Sequence, residues 1–176
     1  MDFNFTIKGK RTLRENAATL LPEIYSGFFD RRPAVIGHPR RTRELHDMRK
    51  AGKPLRYFME IMEPAGGRDF GRCLRQVKDL IEVMGEVHDA DVNIPILRQQ
   101  IAELRAYNIM HPRPDTRIHL SSLQTQIREM REERRQKFSK VCTILIRWEH
   151  TNFGQRLVRS LRGGVRPSPV RTTERQ

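Results

Sequence analysis

Between Leu45 and Met62, apolar side chains recur at steps of three and four residues: Leu45, Met48, Leu55, Phe58, Met59 and Met62. At about 3.6 residues per turn these positions form one stripe of a helix, and such a stripe must be buried against a partner. The same turns carry a second stripe. His46, Arg49, Lys50, Lys53 and Arg56 stand three and four residues apart, with no acid in the group. Like charges one turn apart oppose each other by about 0.2–0.5 kcal/mol per pair. A helix that buries one face and gathers cations on another calls for an anion at that surface.

The same period runs through most of the chain. Thr12, with Glu15 three residues on, has the pattern of a capping box, and Leu13, Ala17, Leu20, Leu21, Ile24, Tyr25 and Phe28 follow at helical spacing across Pro22. Residues 30–39 hold Pro33, Gly37 and Pro39 and read as a connector. The basic helix is expected over residues 41–63, bent at Pro54 with Gly52 easing the bend, and stopped by Pro64-Ala65-Gly66-Gly67. A third helix starts near Asp69, with Cys73, Leu74, Val77, Leu80, Ile81, Met84 and Val87 inward. Asn93 before Ile94-Pro95 reads as an N-cap, so the rod is expected to break there and a fresh helix to run to about Tyr107.

After His111-Pro112-Arg113-Pro114, one long closing helix is predicted over residues 117–161. Its seam is Leu120, Leu123, Ile127, Met130, Phe138, Val141, Leu145 and Trp148. Arg134 stands in that seam, flanked by Arg131 and Arg135. A buried unpaired guanidinium costs several kcal/mol, so Arg134 requires a wet groove, an acid or a bound anion. Side by side, the two basic helices would wall a positively charged trough. Phe3, Phe5 and Ile7 alternate in a short lead-in that reads as a strand stub or an extended segment. The fold class is all-α, an antiparallel bundle of four to five long helices over residues 1–161, with a basic flexible tail at 162–176.

Composition narrows the partner. Thirty-four Lys and Arg against 21 Asp and Glu give a net charge of +13 in 176 residues. This favours a polyanion: nucleic acid, an anionic membrane or a phosphate polymer. No apolar run nears the ~20 residues that span a bilayer, and no secretory h-region opens the chain, so the expected location is cytoplasmic. Cys73 and Cys142 read as free thiols. There is no Gly-rich phosphate loop, no paired-histidine zinc motif and no cysteine cluster, so neither cofactor, metal nor catalysis is expected. His88, Asp89 and Asp91 do not share one helical face, and the two aspartates are better read as ending the helix or pairing with arginines.

Two segments resemble a known family. His46-x-x-Arg49-Lys50-x-x-Lys53-x-Leu55-Arg56-Tyr57 is similar to the signature helix of the conserved histidine α-helical domain, CHAD. Met84-Gly85-Glu86-Val87-His88-Asp89-Ala90-Asp91-Val92 resembles that family's second hallmark, with methionine for leucine. The order of elements also matches, over residues 13–161. The resemblance implies non-catalytic binding of inorganic polyphosphate along a basic channel, with association with polyphosphate granules. Carried over by position, His46, Arg49, Lys50, Lys53 and Arg56 would contact the polymer, with Arg131, Arg134 and Arg135 from the closing helix and Arg75 and Lys78 as further contributors. Tyr57, Asp89 and Asp91 would be structural.

Pro54 departs from the family pattern where a second basic residue is usual. Family members also commonly hold two such bundles, and this chain has the length and motif for one. A half-domain that dimerises to complete the channel is therefore expected; a monomer by sedimentation that still binds long polyphosphate tightly would remove that idea. The alternative function is a basic helical nucleic-acid binder, although the stripe lacks interleaved aromatics for base stacking. An enzyme of phosphate chemistry is the third class, disfavoured because nothing barrel-like or carboxylate-rich is present.

Overall fold

The computed structural model describes residues 9–163; the alternation at Phe3, Phe5 and Ile7 and most of the basic tail lie outside them. Among these residues six α-helices follow in order: α1 Leu13–Phe29, the short α2 Arg32–Val35, α3 Thr42–Met62, α4 Arg68–Met110, α5 Ser121–His150 and α6 Phe153–Gly163. The described residues are all-α, as the periodicity requires. None of these helices is long and apolar enough to cross a membrane.

Local chemistry sets the ends. The Thr12 hydroxyl accepts from the Glu15 amide at 3.2 Å, and the Glu15 carboxylate accepts from the Thr12 amide at 2.8 Å, closing the capping box. That bond, from an exposed site, holds the Glu15 pKa below its ordinary value. At the same end of the bundle, Arg14 donates to the carbonyls of Leu161 and Arg162 at 2.6 and 2.7 Å, satisfying groups that the last turn of α6 leaves open.

α3 and α4, and likewise α4 and α5, run in opposite senses. Glu60 and His46 of α3 meet Lys78 and His88 of α4. Asp91 and Glu86 of α4 meet Arg134 and Lys137 of α5. The apolar stripe of α3 is buried as its spacing predicts, with Phe58 only partly covered. Gly52 belongs to the same face: a Cβ there would lie 3.1 Å from the Phe28 ring and 3.2 Å from Ile81. Glycine thus lets α1 and α4 approach α3 closely, rather than merely easing a bend.

Two sequence expectations fail. The rod does not break at Asn93: α4 continues through Pro95 for 43 residues. An interior proline removes one backbone bond and costs about 3 kcal/mol. Here the turns on both sides are held by a separate apolar cluster, in which Ala90, Ile94 and Ile101 pack against Ile127. α1 and α3 likewise continue through Pro22 and Pro54.

Conversely, the closing helix is not one piece. It ends at His150, and Asn152 turns the chain at φ 48°, a left-handed conformation that asparagine tolerates better than most residues. α6 then lies along α1, with Phe153 stacked on Trp148 at 3.9 Å. Gly154 makes this possible, since a Cβ there would fall 2.5 Å from the Tyr25 ring.

Candidate anion groove between α3 and α4

The basic stripe of α3 borders α4, not α5. Arg49 lies across the second hallmark segment: a Cβ built on Gly85 would be 3.4 Å from its Nε. One turn toward the start of α3, the His46 ring lies 4.4 Å from the His88 ring of α4, tilted by 32°. At the far end, Glu60 accepts from Arg56 and pairs with Lys78, both at 3.0 Å. The candidate groove is thus the edge of the α3–α4 contact, from the paired imidazoles past Arg49 to a carboxylate shared by two cations, with Lys50 and Lys53 exposed beside it.

Its charges are unevenly satisfied. Arg56 and Lys78 both rest on Glu60, whose carboxyl they hold below the usual range, Lys78 acting most strongly. Arg49, Lys50 and Lys53 have no acid within ion-pair distance among the described residues. Moreover, His46 Nδ1 and Arg49 Nε are closed off from solvent and have no hydrogen-bond partner among the described residues. A buried polar group left without a partner costs about 1–3 kcal/mol, more when charged.

The closing-helix arginines take other roles. Arg134, in the seam, donates to both oxygens of Asp91 at 2.6 and 3.1 Å and to the Pro39 carbonyl at 2.9 Å. Of the options that its position required, an acid partner is the one realised. Arg135 pairs with Glu132 on its own helix. Arg131 and Arg75 have no ion pair among the described residues. α3 and α5 both border α4, so the two basic helices stand on either side of it rather than directly side by side.

Tyr57 is corrected too. It is 54% exposed rather than packed, with the Arg56 guanidinium 5.9 Å from its ring centroid. Neither aspartate ends a helix, since α4 continues well past both, but Asp91 pairs with Arg134 as the other alternative had it. Sequence reasoning missed three participants: Gly85 as the seat of Arg49, His88 as the ring partner of His46, and Glu60 as the shared acid. The first two lie inside the hallmark segment, so the signal was present. The helix-to-helix register was not.

A family model described as CHAD domain matches residues 5–98, more than half of the chain. The chain belongs to the CHAD domain family. The match covers α1 to α3 and α4 as far as Arg98, so both walls of the groove fall inside it. CHAD domains are in general binding domains, and polyphosphate is the ligand known for them. No curated protein and no solved structure matches this CHAD chain. Among its described residues no group of three or more His, Cys, Asp or Glu is placed to hold a metal ion.

The imidazole pair gives the groove a pH dependence. Burial of the His46 ring, then the nearby His88 and Lys50, hold its pKa below the ordinary value, with Arg49 adding and Asp47 opposing. The folded value thus lies below the unfolded one of about 6.5. His46 therefore adds stability that is complete above that pH and is lost as pH falls through the folded value. Thermal unfolding between about pH 7.5 and about pH 5 should show this loss, and His46→Asn should remove most of it. A bound anion would oppose the shift, so binding should be accompanied by proton uptake in the same window.

Proposed function

We propose that this CHAD chain binds inorganic polyphosphate along the α3–α4 groove and has no catalytic activity of its own. The observation that supports it best is the run of Arg49, Lys50 and Lys53 without acid partners among the described residues, with the buried Arg49 Nε and His46 Nδ1 also unpartnered there. Cations without acids beside unpartnered buried nitrogens favour an anion rich in oxygens. Arginine meets phosphate with a planar fork and lysine with a point charge, so the stripe suits a repeating phosphate chain. Arg49, Lys50, Lys53 and His46 are the principal contacts in this reading. Arg56 and Lys78 contribute after sharing their charge with Glu60, and Arg75 and Arg131 extend the positive surface. Arg134 and Arg135 support the bundle first.

The expected behaviour is electrostatic. Each phosphate that displaces condensed counterions makes affinity fall with salt, and multivalent contact makes it rise with polymer length. Titration with polyphosphate of graded length at two salt concentrations should show both trends. Length-independent binding would sink the reading. Competition addresses the nucleic-acid alternative: duplex DNA should displace polyphosphate poorly at equal phosphate concentration. A second copy completing the channel and recruitment to polyphosphate granules in the cytoplasm belong to the same proposal.

A further inference from the structure

A second basic groove lies on the other side of α4. It measures about 900 Å³ and is bordered by the first turns of α4 and the face of α6, with Arg68, Arg72, Arg156 and Arg159 around it. The single acid on its border, Asp69, is held by Arg72 at 3.0 Å. Arg156 is positioned by neutral contacts alone: its guanidinium donates to Gln76 at 3.3 Å and lies 5.1 Å from the Phe153 ring centroid. Its full charge is thus presented with the side chain already ordered. Arg68 and Arg159 are exposed and have no ion pair among the described residues. The surplus is about three positive charges in one concavity that the family motifs do not reach on α6.

A row of cations on α4 leads from one groove toward the other. Residues three apart on a helix step about 60° back around its axis and about 4.5 Å along it. Arg72, Arg75 and Lys78 therefore descend around α4 from the second groove to the Glu60 end of the first. Arg75, exposed and without an ion pair among the described residues, stands midway.

We infer that the α4–α6 groove is a second phosphate site, which holds a further stretch of the same polyphosphate chain after it leaves the α3–α4 groove over Arg75. This rests on the polyphosphate reading and adds a second site to it. The bound polymer would cross α4 rather than follow one cleft, so chains too short to reach around should gain nothing from the second groove.

The experiment compares inorganic tripolyphosphate with long-chain polyphosphate by calorimetric titration of the full chain. The variants are Arg68→Glu with Arg159→Glu, and Arg49→Glu with Lys53→Glu, each checked for helix content by circular dichroism. The first variant should weaken long-chain binding about tenfold and lower the salt slope by about one to two. It should leave tripolyphosphate binding in the α3–α4 groove at wild-type strength. Arg68→Gln with Arg159→Gln should give a smaller loss in the same direction, which a merely misfolded variant would not. Long-chain affinity and salt slope equal to wild type in the first variant would overturn the second site while leaving the polyphosphate reading intact. An equal loss for both ligands would overturn the continuous path. If Arg49→Glu with Lys53→Glu also binds as wild type, the polyphosphate reading itself falls.

Discussion

Arg134→Ala is expected to cost about 3 kcal/mol of folding stability. The arginine and Asp91 are only 13% and 14% exposed as side chains, and the pair is bidentate. Removing one member of a buried pair commonly costs about 3–5 kcal/mol, mostly because the other charge is left uncompensated. The residual exposure of both places the effect at the lower end. The variant also loses the bond to the Pro39 carbonyl, which ties the chain just before α3 to α5. For a chain of this size, each kcal/mol moves Tm by about 2–4 °C, so a drop of about 6–12 °C is expected in thermal unfolding. Asp91→Ala with Arg134→Ala should lose less than the sum of the single variants, because no orphan charge remains. An unchanged Tm in the single variant would show that water compensates the aspartate as well as the arginine does.

Arg49→Glu with Lys53→Glu should weaken polyphosphate binding by about a hundredfold or more at low salt. Two cations without acid partners become two acids, a change of four charge units in one groove, and the salt slope should flatten with the loss of contacts. Lys53 is exposed, while Arg49 is half-buried against Gly85. Helix content must therefore be measured alongside. Lys50→Glu with Lys53→Glu, both at exposed positions, repeats the test without touching the helix interface. Gly85 offers a complementary route. Gly85→Ala places its Cβ at ordinary contact distance from Arg49 and should bind normally, whereas Gly85→Leu should displace the guanidinium and weaken binding with every charge retained. If both Glu pairs retain wild-type affinity, the α3 stripe is only a solvated face.

Apolar spacing carried most of the fold, because burying a stripe is a local demand that a sequence states openly. The capping box at Thr12 and the stop at Gly66-Gly67 were legible for the same reason. Pro95 misled, because local backbone cost says nothing of the tertiary contacts that outweigh it. The break at Asn152 was written in Thr151-Asn152-Phe153-Gly154, yet the apolar period ran through it at Phe153, Leu157 and Leu161 and hid the turn. In the groove, the cations were visible and their neighbours were not. That Glu60 serves two of them, and that Arg49 lies over Gly85, depends on the register of α3 against α4.

The apolar cluster around Ile94, Ile101 and Ile127 is separate from the main core, and it binds the far halves of α4 and α5 to each other alone. Such a hairpin can open without the rest of the molecule unfolding. Backbone amides near the turn, where Asn108 clasps both polar groups of Ile118, should then exchange with deuterium through local opening. Those of α3, enclosed by α1 and α4, should wait for global unfolding. A ligand crossing α4 near Arg75 would slow exchange around the grooves and leave the hairpin's rate nearly untouched, so that protection would mark the ligand's course along the protein.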